Sequence, residues 1–204
     1  SDLSSVTLAG ITATYVAGTA SDDSVTVTTV TGGTAGTAGD VVLTALTGAI
    51  ITDEDAFTYS TTGAITNVSP NNGQFGTVII VNGTNMLGGG ASISSVTLNG
   101  VEVQSGTIQA TNTVISFVAS LSSIAGTGDI VVTANTGAIT TAIDGFSYVA
   151  AANITNISPA SGQVGTVVTI EGVSMLGGAS SLDALEIGDL EVTNVEVAND
   201  TIII

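Results

Sequence analysis

The feature that most constrains this chain is a motif that occurs twice. Ile65-Thr66-Asn67-Val68-Ser69-Pro70-Asn71-Asn72-Gly73-Gln74-Phe75-Gly76-Thr77-Val78 returns as Ile154-Thr155-Asn156-Ile157-Ser158-Pro159-Ala160-Ser161-Gly162-Gln163-Val164-Gly165-Thr166-Val167, at an offset of 89 residues. A period of that length is a compact unit at the lower end of domain size, so the chain reads as a serial array of one module. Each module must bury a core of its own, and an array of this kind is building material before it is a catalyst.

Local patterning says what the module is made of. Alternating apolar and polar residues mark strands at Val25-Thr26-Val27-Thr28, Val78-Ile79-Ile80-Val81, Val101-Glu102-Val103-Gln104, Ile130-Val131-Val132-Thr133 and Leu190-Glu191-Val192-Thr193. No segment keeps helical spacing for three turns. Gly32-Gly33, Gly73, Gly88-Gly89-Gly90, Gly126, Gly128 and Gly177-Gly178 fall between the strands, where positive φ is cheap for a residue without Cβ. Short strands punctuated in this way predict an all-β sandwich, its core built from Val, Ile, Leu and Ala with few aromatic rings.

Residues 61–150 read as a whole module, opening with Ser69-Pro70 and closing with Gly128-Asp129-Ile130-Val131-Val132 and Phe146-Ser147-Tyr148. Residues 1–60 repeat only the later portion: Gly39-Asp40-Val41-Val42 and Phe57-Thr58-Tyr59 match the closing segments at the same offset, and opening strands are lacking. Residues 151–204 carry the opening motif and Met175-Leu176-Gly177-Gly178, which matches Met86 to Gly89, then reach Ile202-Ile203-Ile204 without closing strands.

These residues resemble the IPT/TIG family, the immunoglobulin-like domain of plexins and some transcription factors. The resemblance rests on I-T-x-[VI]-S-P-x-x-G-x-x-G-T-x-[VI]-x-[IV]-x-G at Ile65–Gly83 and Ile154–Gly172, on Asn85-Met86-Leu87-Gly88, and on the closing Phe-x-Tyr at Phe57 and Phe146. It implies tandem Greek-key β-sandwiches and an interaction or spacer role. DNA-contacting members use basic loop residues, and this chain has none. Read physically, Pro70 fixes φ where the entering strand turns, and Gly73 and Gly76 allow the tight return.

Composition removes whole classes of chemistry. The chain has no Lys, Arg, His, Cys or Trp and a formal charge of −17. Nucleic-acid binding is excluded, because phosphate neutralisation by cations supplies most of that affinity. Disulfides, thiolate metal sites, Schiff bases and Lys–Asn crosslinks are excluded too. A Ser-His-Asp triad or Cys-His pair cannot be assembled, so the expectation is that the chain is not an enzyme. The missing cations also remove every trypsin site, which suits a protein exposed to proteases outside the cell. No run approaches the ~20 apolar residues that span a bilayer, so membrane insertion is not expected, and Ser1-Asp2-Leu3 lacks the basic start of a secretory signal.

Hard oxygen ligands make Ca2+ the one cofactor worth weighing, with Asp53, Glu54 and Asp55 as candidate ligands. The cluster is not repeated: the middle module reads Thr141-Ala142-Ile143-Asp144 there, and a solvated acidic turn is the simpler reading. Sequons occur at Asn67, Asn82, Asn153, Asn156 and Asn199, with Asn67 and Asn156 at equivalent positions as candidates for glycosylation.

A sandwich that lacks strands exposes unpaired backbone and half a core, and so captures a partner. The first expectation is therefore a structural subunit of an extracellular filament or surface appendage, a homopolymer joined head to tail. Leu3, Val6 and Leu8 at one end and Ile202, Ile203 and Ile204 at the other are the expected assembly residues. Acids number seven, three and seven in the successive modules, so such a contact must be apolar and main-chain bonded, with salt or divalent cations screening it. The alternative is a surface adhesin module that binds glycans or protein through its loops, and a third reading is a spacer beside a secreted enzyme.

Overall fold

The computed structural model describes residues 3–15, 18, 20–21, 23–196 and 198–204. Ser1 and Asp2 of the N-terminal start lie outside the described residues. Among those described, every regular element is a β-strand. The chain forms two compact bodies, Ser1–Thr61 and Thr62–Ile204.

The first body is a single antiparallel sheet of β1 (Leu3–Leu8), β2 (Ile11–Thr12), β3 (Ala38–Ala45) and β4 (Ile50–Thr58), in the order β2-β1-β3-β4. Val6, Leu8 and Ala13 are its buried centre, with Leu3, Val27, Val41, Leu43, Phe57 and Tyr59 packed around them. The two-residue turn Ala9-Gly10 joins β1 to β2 with positive φ at both positions, which is the geometry that matches strand twist in a tight hairpin.

The second body begins with a complete sandwich. Its strands are β5 (Ala64–Ser69), β6 (Asn72–Gly73), β7 (Val78–Thr84), β8 (Ile93–Leu98), β9 (Val101–Glu102), β10 (Gln109–Ala110), β11 (Val114–Val118), β12 (Gly126–Ala134) and β13 (Ile139–Tyr148). One sheet runs β10-β11-β7-β5 and the other β6-β13-β12-β8-β9. Ile79, Val81, Ile115 and Phe117 from the first meet Val96, Leu98, Ile130, Val132, Phe146 and Tyr148 from the second in one buried cluster. These are the inward positions of a period-two pattern, as the β-branched alternation requires.

The same body continues with β14 (Asn153–Ser158), β15 (Thr169–Val173), β16 (Glu186–Ile187), β17 (Leu190–Glu191) and β18 (Ile202–Ile203), in a sheet β14-β15-β18 and a small hairpin β16-β17.

The middle module is the key to the other two. Gly39 pairs with Phe57 and Val41 with Asp53, as Gly128 pairs with Phe146 and Ile130 with Ala142, with a register shift at the same place in both. The sheet of the first body is thus the counterpart of β9-β8-β12-β13, and its described residues hold no counterpart of β5 or β7. In the last module β14, β15 and β18 correspond to β5, β7 and β11, and the hairpin β16-β17 to the end of β8 with β9.

This explains where sequence patterning fails. Val25-Thr26-Val27-Thr28 is not a strand: Thr28 forms only an isolated bridge to Thr14. Its counterpart β11 is held by β7, and the described residues of the first body hold no equivalent strand for Val25–Thr28 to pair with. The strands expected at Val101–Gln104 and Leu190–Thr193 are shorter than their patterns, ending at Glu102 and Glu191.

The expected assembly residues are paired, bonded or packed within their own modules. Leu3, Val6 and Leu8 lie on β1, which is flanked by β2 and β3 on both edges, and Val6 and Leu8 are buried in their own module. Ile202 and Ile203 are paired with β15, Ile203 is buried, and the Ile204 carbonyl accepts from the Glu196 N–H. β2 covers only Thr7 and Leu8 of β1, and β18 is the outer strand of its sheet, with Ala198 bridging Ile203 on its far side. Apolar exposure lies elsewhere: Ile51 is 66% exposed where its counterpart Thr140 is 6% exposed, and Ile154 and Ile157 face solvent where Ile65 and Val68 pack on the core.

Candidate binding cleft

The opening motif builds a rigid turn at one end of the middle module. The Gln74 N–H donates to Thr77 Oγ1 at 3.1 Å, and the Thr77 N–H returns to the Gln74 carbonyl at 3.1 Å. Gly76 takes φ +88° and its N–H reaches the Ala119 carbonyl, while the Ala119 N–H reaches the Thr77 carbonyl. Gly73 is required because a Cβ there would sit 2.4 Å from Thr77 Oγ1. The turn is tied across to β13 by the parallel pairing of Asn72 and Gly73 with Ser147 and Tyr148.

The turn also holds the start of the last module. Gln74 Oε1 accepts the Ala152 N–H at 2.9 Å, and Asn72 Nδ2 donates to the Gly178 carbonyl at 3.2 Å. Gly178 has φ +90°, and a Cβ on it would lie 2.6 Å from Asn72 Nδ2. The linker after β13 and the Gly177-Gly178 turn are therefore seated against motif side chains.

Between turn and linker lies an open cleft of about 210 Å3, lined by Gln74, Phe75, Leu121, Ser122, Tyr148, Val149, Ala151 and Ala152. No charged side chain lines it. Phe75 is 60% and Leu121 69% exposed, so two large apolar side chains face solvent at the rim. Ser122 Oγ donates to the Ile124 carbonyl at 2.8 Å, which fixes its loop. Gln74 Nε2 makes no hydrogen bond to a described residue and lies against Gly177, where an added Cβ would come within 2.8 Å of it. Tyr148 is buried, its hydroxyl has no partner, and burial raises its pKa from the usual value of 10.0. Tyr59 carries the same orphan hydroxyl, so this is a property of the repeated Phe-x-Tyr pair rather than of the cleft.

The other sequence candidates resolve into structural roles or into surface. Asp55 has φ +51° and donates its N–H to Asp40 Oδ1 at 3.0 Å; Asp144, at φ +51°, donates to Asp129 Oδ1 at 2.9 Å. Asp55 is therefore the bulge residue of a repeated bend. Asp53 and Glu54 are exposed beside it, and among the described residues no three acidic side chains gather as a metal-holding group. Asn67 and Asn156 are exposed on β5 and β14 at equivalent positions, and Asn156 Nδ2 contacts Glu171 Oε2 at 3.1 Å. Asn153 is exposed, Asn82 half-buried, and Asn199 Oδ1 accepts from the Thr201 and Ile202 N–H groups in its own turn. Sequence reasoning assigned the whole opening motif to folding and missed Gln74 and Phe75. The available signal was a large apolar residue, Phe75 and then Val164, at a tip position that the fold leaves exposed in both copies.

Two immunoglobulin-like layers joined in one module, with the opening turn repeated in the next, define a class of tandem β-sandwich proteins. The IPT/TIG domain model matches residues 64–148 and 152–204, and the chain belongs to that family. No curated protein matches the chain. Among solved structures it is similar to SGBP-B from a complex xyloglucan utilization locus in Bacteroides uniformis, at 21% identity and TM-score 0.36 over 71% of this chain and 41% of that one. It is similar to an auxiliary nutrient binding protein from Bacteroides thetaiotaomicron, at 25% identity and TM-score 0.36 over 47% of this chain and 22% of that one. SGBP-B from the mixed-linkage glucan utilization locus of Bacteroides ovatus, solved with a mixed-linkage heptasaccharide, gives 18% identity and TM-score 0.34 over 75% and 40%. The chain spans less than half the length of each, and at such TM-scores these likenesses carry no argument about its ligand. No helix among the described residues is long and apolar enough to cross a membrane.

Proposed function

We propose that this chain is a non-catalytic stretch of a cell-surface or secreted protein that binds polysaccharide, its IPT/TIG modules both holding the protein out from the surface and offering a binding face. The observation that carries this reading is the uncharged cleft built where the middle module's opening turn receives the linker into the last module. Its lining is uncharged and mixes polar and apolar surface in nearly equal parts, and hydrogen bonds from the two motif amides hold the turn against the linker and the Gly177-Gly178 turn. A net charge of −17 with no cation suits a soluble, surface-exposed molecule and disfavours anionic partners. Residue types give catalysis little to work with, because proton transfer here would rest on carboxylates, hydroxyls and amides alone.

Neutral polysaccharides suit an uncharged lining, and xyloglucan and mixed-linkage glucan serve as two probes of that class. In affinity gel electrophoresis the purified chain is expected to be retarded by at least one of them while releasing no new reducing ends. A chain that ran unretarded through both, or that released reducing ends, would overturn the reading.

A further inference from the structure

We infer that the cleft takes one uncharged pyranose unit of the polysaccharide, stacked on Phe75 and Leu121 beside the pinned Gln74 amide. This rests on the polysaccharide-binding reading and names its contact residues.

Phe75 is the centre of the argument because nothing in the fold asks for it. It sits at the tip of a turn whose geometry is set by Gly73, Gly76 and Thr77, and it is 60% exposed. An aromatic ring left in water on a preordered turn is an anchor that loses little freedom when a ligand arrives. The negative face of the ring attracts the slightly positive axial C–H groups of a pyranose, and Leu121 lines the same cleft. Gln74 is pinned through Oε1 to the Ala152 N–H at 2.9 Å, so its amide is oriented on that side of the cleft. Pinning turns a flexible side chain into a fixed hydrogen-bond group.

Size and charge narrow the ligand. About 210 Å3 falls below the range of pockets that enclose a drug-sized molecule and suits one ring of a chain lying across the surface. The lining has no charge, and every ionised side chain of the protein is an acid. A uronate therefore finds no counter-charge and a repulsive field, whereas a neutral sugar is indifferent to both.

The test uses the whole chain and isothermal titration calorimetry with xyloglucan oligosaccharide, mixed-linkage glucan oligosaccharide and oligogalacturonate, comparing wild type with Phe75→Ala, Leu121→Ala and Val164→Ala. Val164 occupies the equivalent tip in the last module and is fully exposed, so it controls for loss of any surface apolar residue. The expected result is binding of a neutral oligosaccharide by wild type, weakened about tenfold or more by Phe75→Ala and less by Leu121→Ala. Val164→Ala and wild type are expected to be equal, and oligogalacturonate to give no heat. Unchanged thermal midpoints establish that the variants fold. Binding that persists undiminished in Phe75→Ala would overturn this assignment while leaving the polysaccharide reading intact, and so would oligogalacturonate binding as tightly as the neutral sugars. No binding of any oligosaccharide by wild type would overturn both.

Discussion

At the scale of single residues, burial is decided by atoms that have nowhere to send a hydrogen bond. The Tyr148 ring packs edge-on against Phe146, with centroids 5.2 Å apart and planes at 84°, but its hydroxyl is buried without a partner. Losing water without replacement costs about 1–3 kcal/mol, so Tyr148→Phe is expected to stabilise the protein by about 1 kcal/mol at neutral pH, read from urea denaturation. The same change should alter the alkaline limb. Burial raises the folded pKa above 10.0, so between the unfolded value and the folded one only the unfolded chain loses the proton, and stability falls as pH rises through that window. Wild type should therefore lose stability above pH 10 more steeply than Tyr148→Phe; parallel limbs would show that the phenol is hydrated in solution. Gly178 is the opposite case, a residue held by what it lacks. With φ +90° and a Cβ that would meet Asn72 Nδ2 at 2.6 Å, Gly178→Ala should cost about 1–2 kcal/mol and loosen the seat of the last module. Hydrogen exchange at the Ala152 amide would report that loosening.

At the scale of elements, the first body repeats one sheet of the middle module, and its described residues hold no counterpart of the facing strands β5 and β7. Phe146 is fully buried, whereas its counterpart Phe57 is only partly so. Phe146→Ala should cost about 3–5 kcal/mol and Phe57→Ala clearly less, measured as the loss of amide protection in β12 and β3 respectively. Equal losses would mean that a facing layer covers the first sheet in solution. The same comparison shows what the sequence could and could not yield. Period-two alternation and the repeat located the core strands of the complete module, because there each strand has the neighbours its pattern presupposes. It misplaced Val25–Thr28, whose alternation is as good as that of β11, because pairing is a property of the partner strand and not of the segment. Asn99-Gly100, a two-residue turn with positive φ at both positions, was readable as a hairpin signal between Leu98 and Val101 and recurs as Ala9-Gly10 and Gly188-Asp189. The acidic run Asp53–Asp55 reads from sequence as a solvated turn with Ca2+ as the rival, and spacing alone hides the bulge; Asp40, fifteen positions away, is what assigns Asp55 to it. The cleft was half legible. Its turn residues stood in the repeated motif, but Leu121 and the linker reach it only through the fold.

At the scale of the whole molecule, charge is the term without compensation. Seventeen acids and no base mean that every pairwise interaction between ionised side chains is repulsive, and compaction brings those charges closer together. Exposed pairs separated by more than about 10 Å are screened at 0.1 M salt but not at 0.01 M, where the screening length is about 30 Å. The thermal midpoint is therefore expected to rise by several degrees between 10 mM and 300 mM NaCl, followed by circular dichroism, with the larger gain below 100 mM. Chloride salts of Na+ and Ca2+ at matched ionic strength separate diffuse screening from coordination. The described acids form no metal-holding group, so the two salts should superimpose to within the small additional screening of a divalent ion. A distinct step at micromolar Ca2+, lost in a combined Asp53→Asn and Asp55→Asn variant, would instead assign a site to that turn, whereas a midpoint insensitive to NaCl would mean that the acids are too far apart, or too well hydrated, for their repulsion to limit folding.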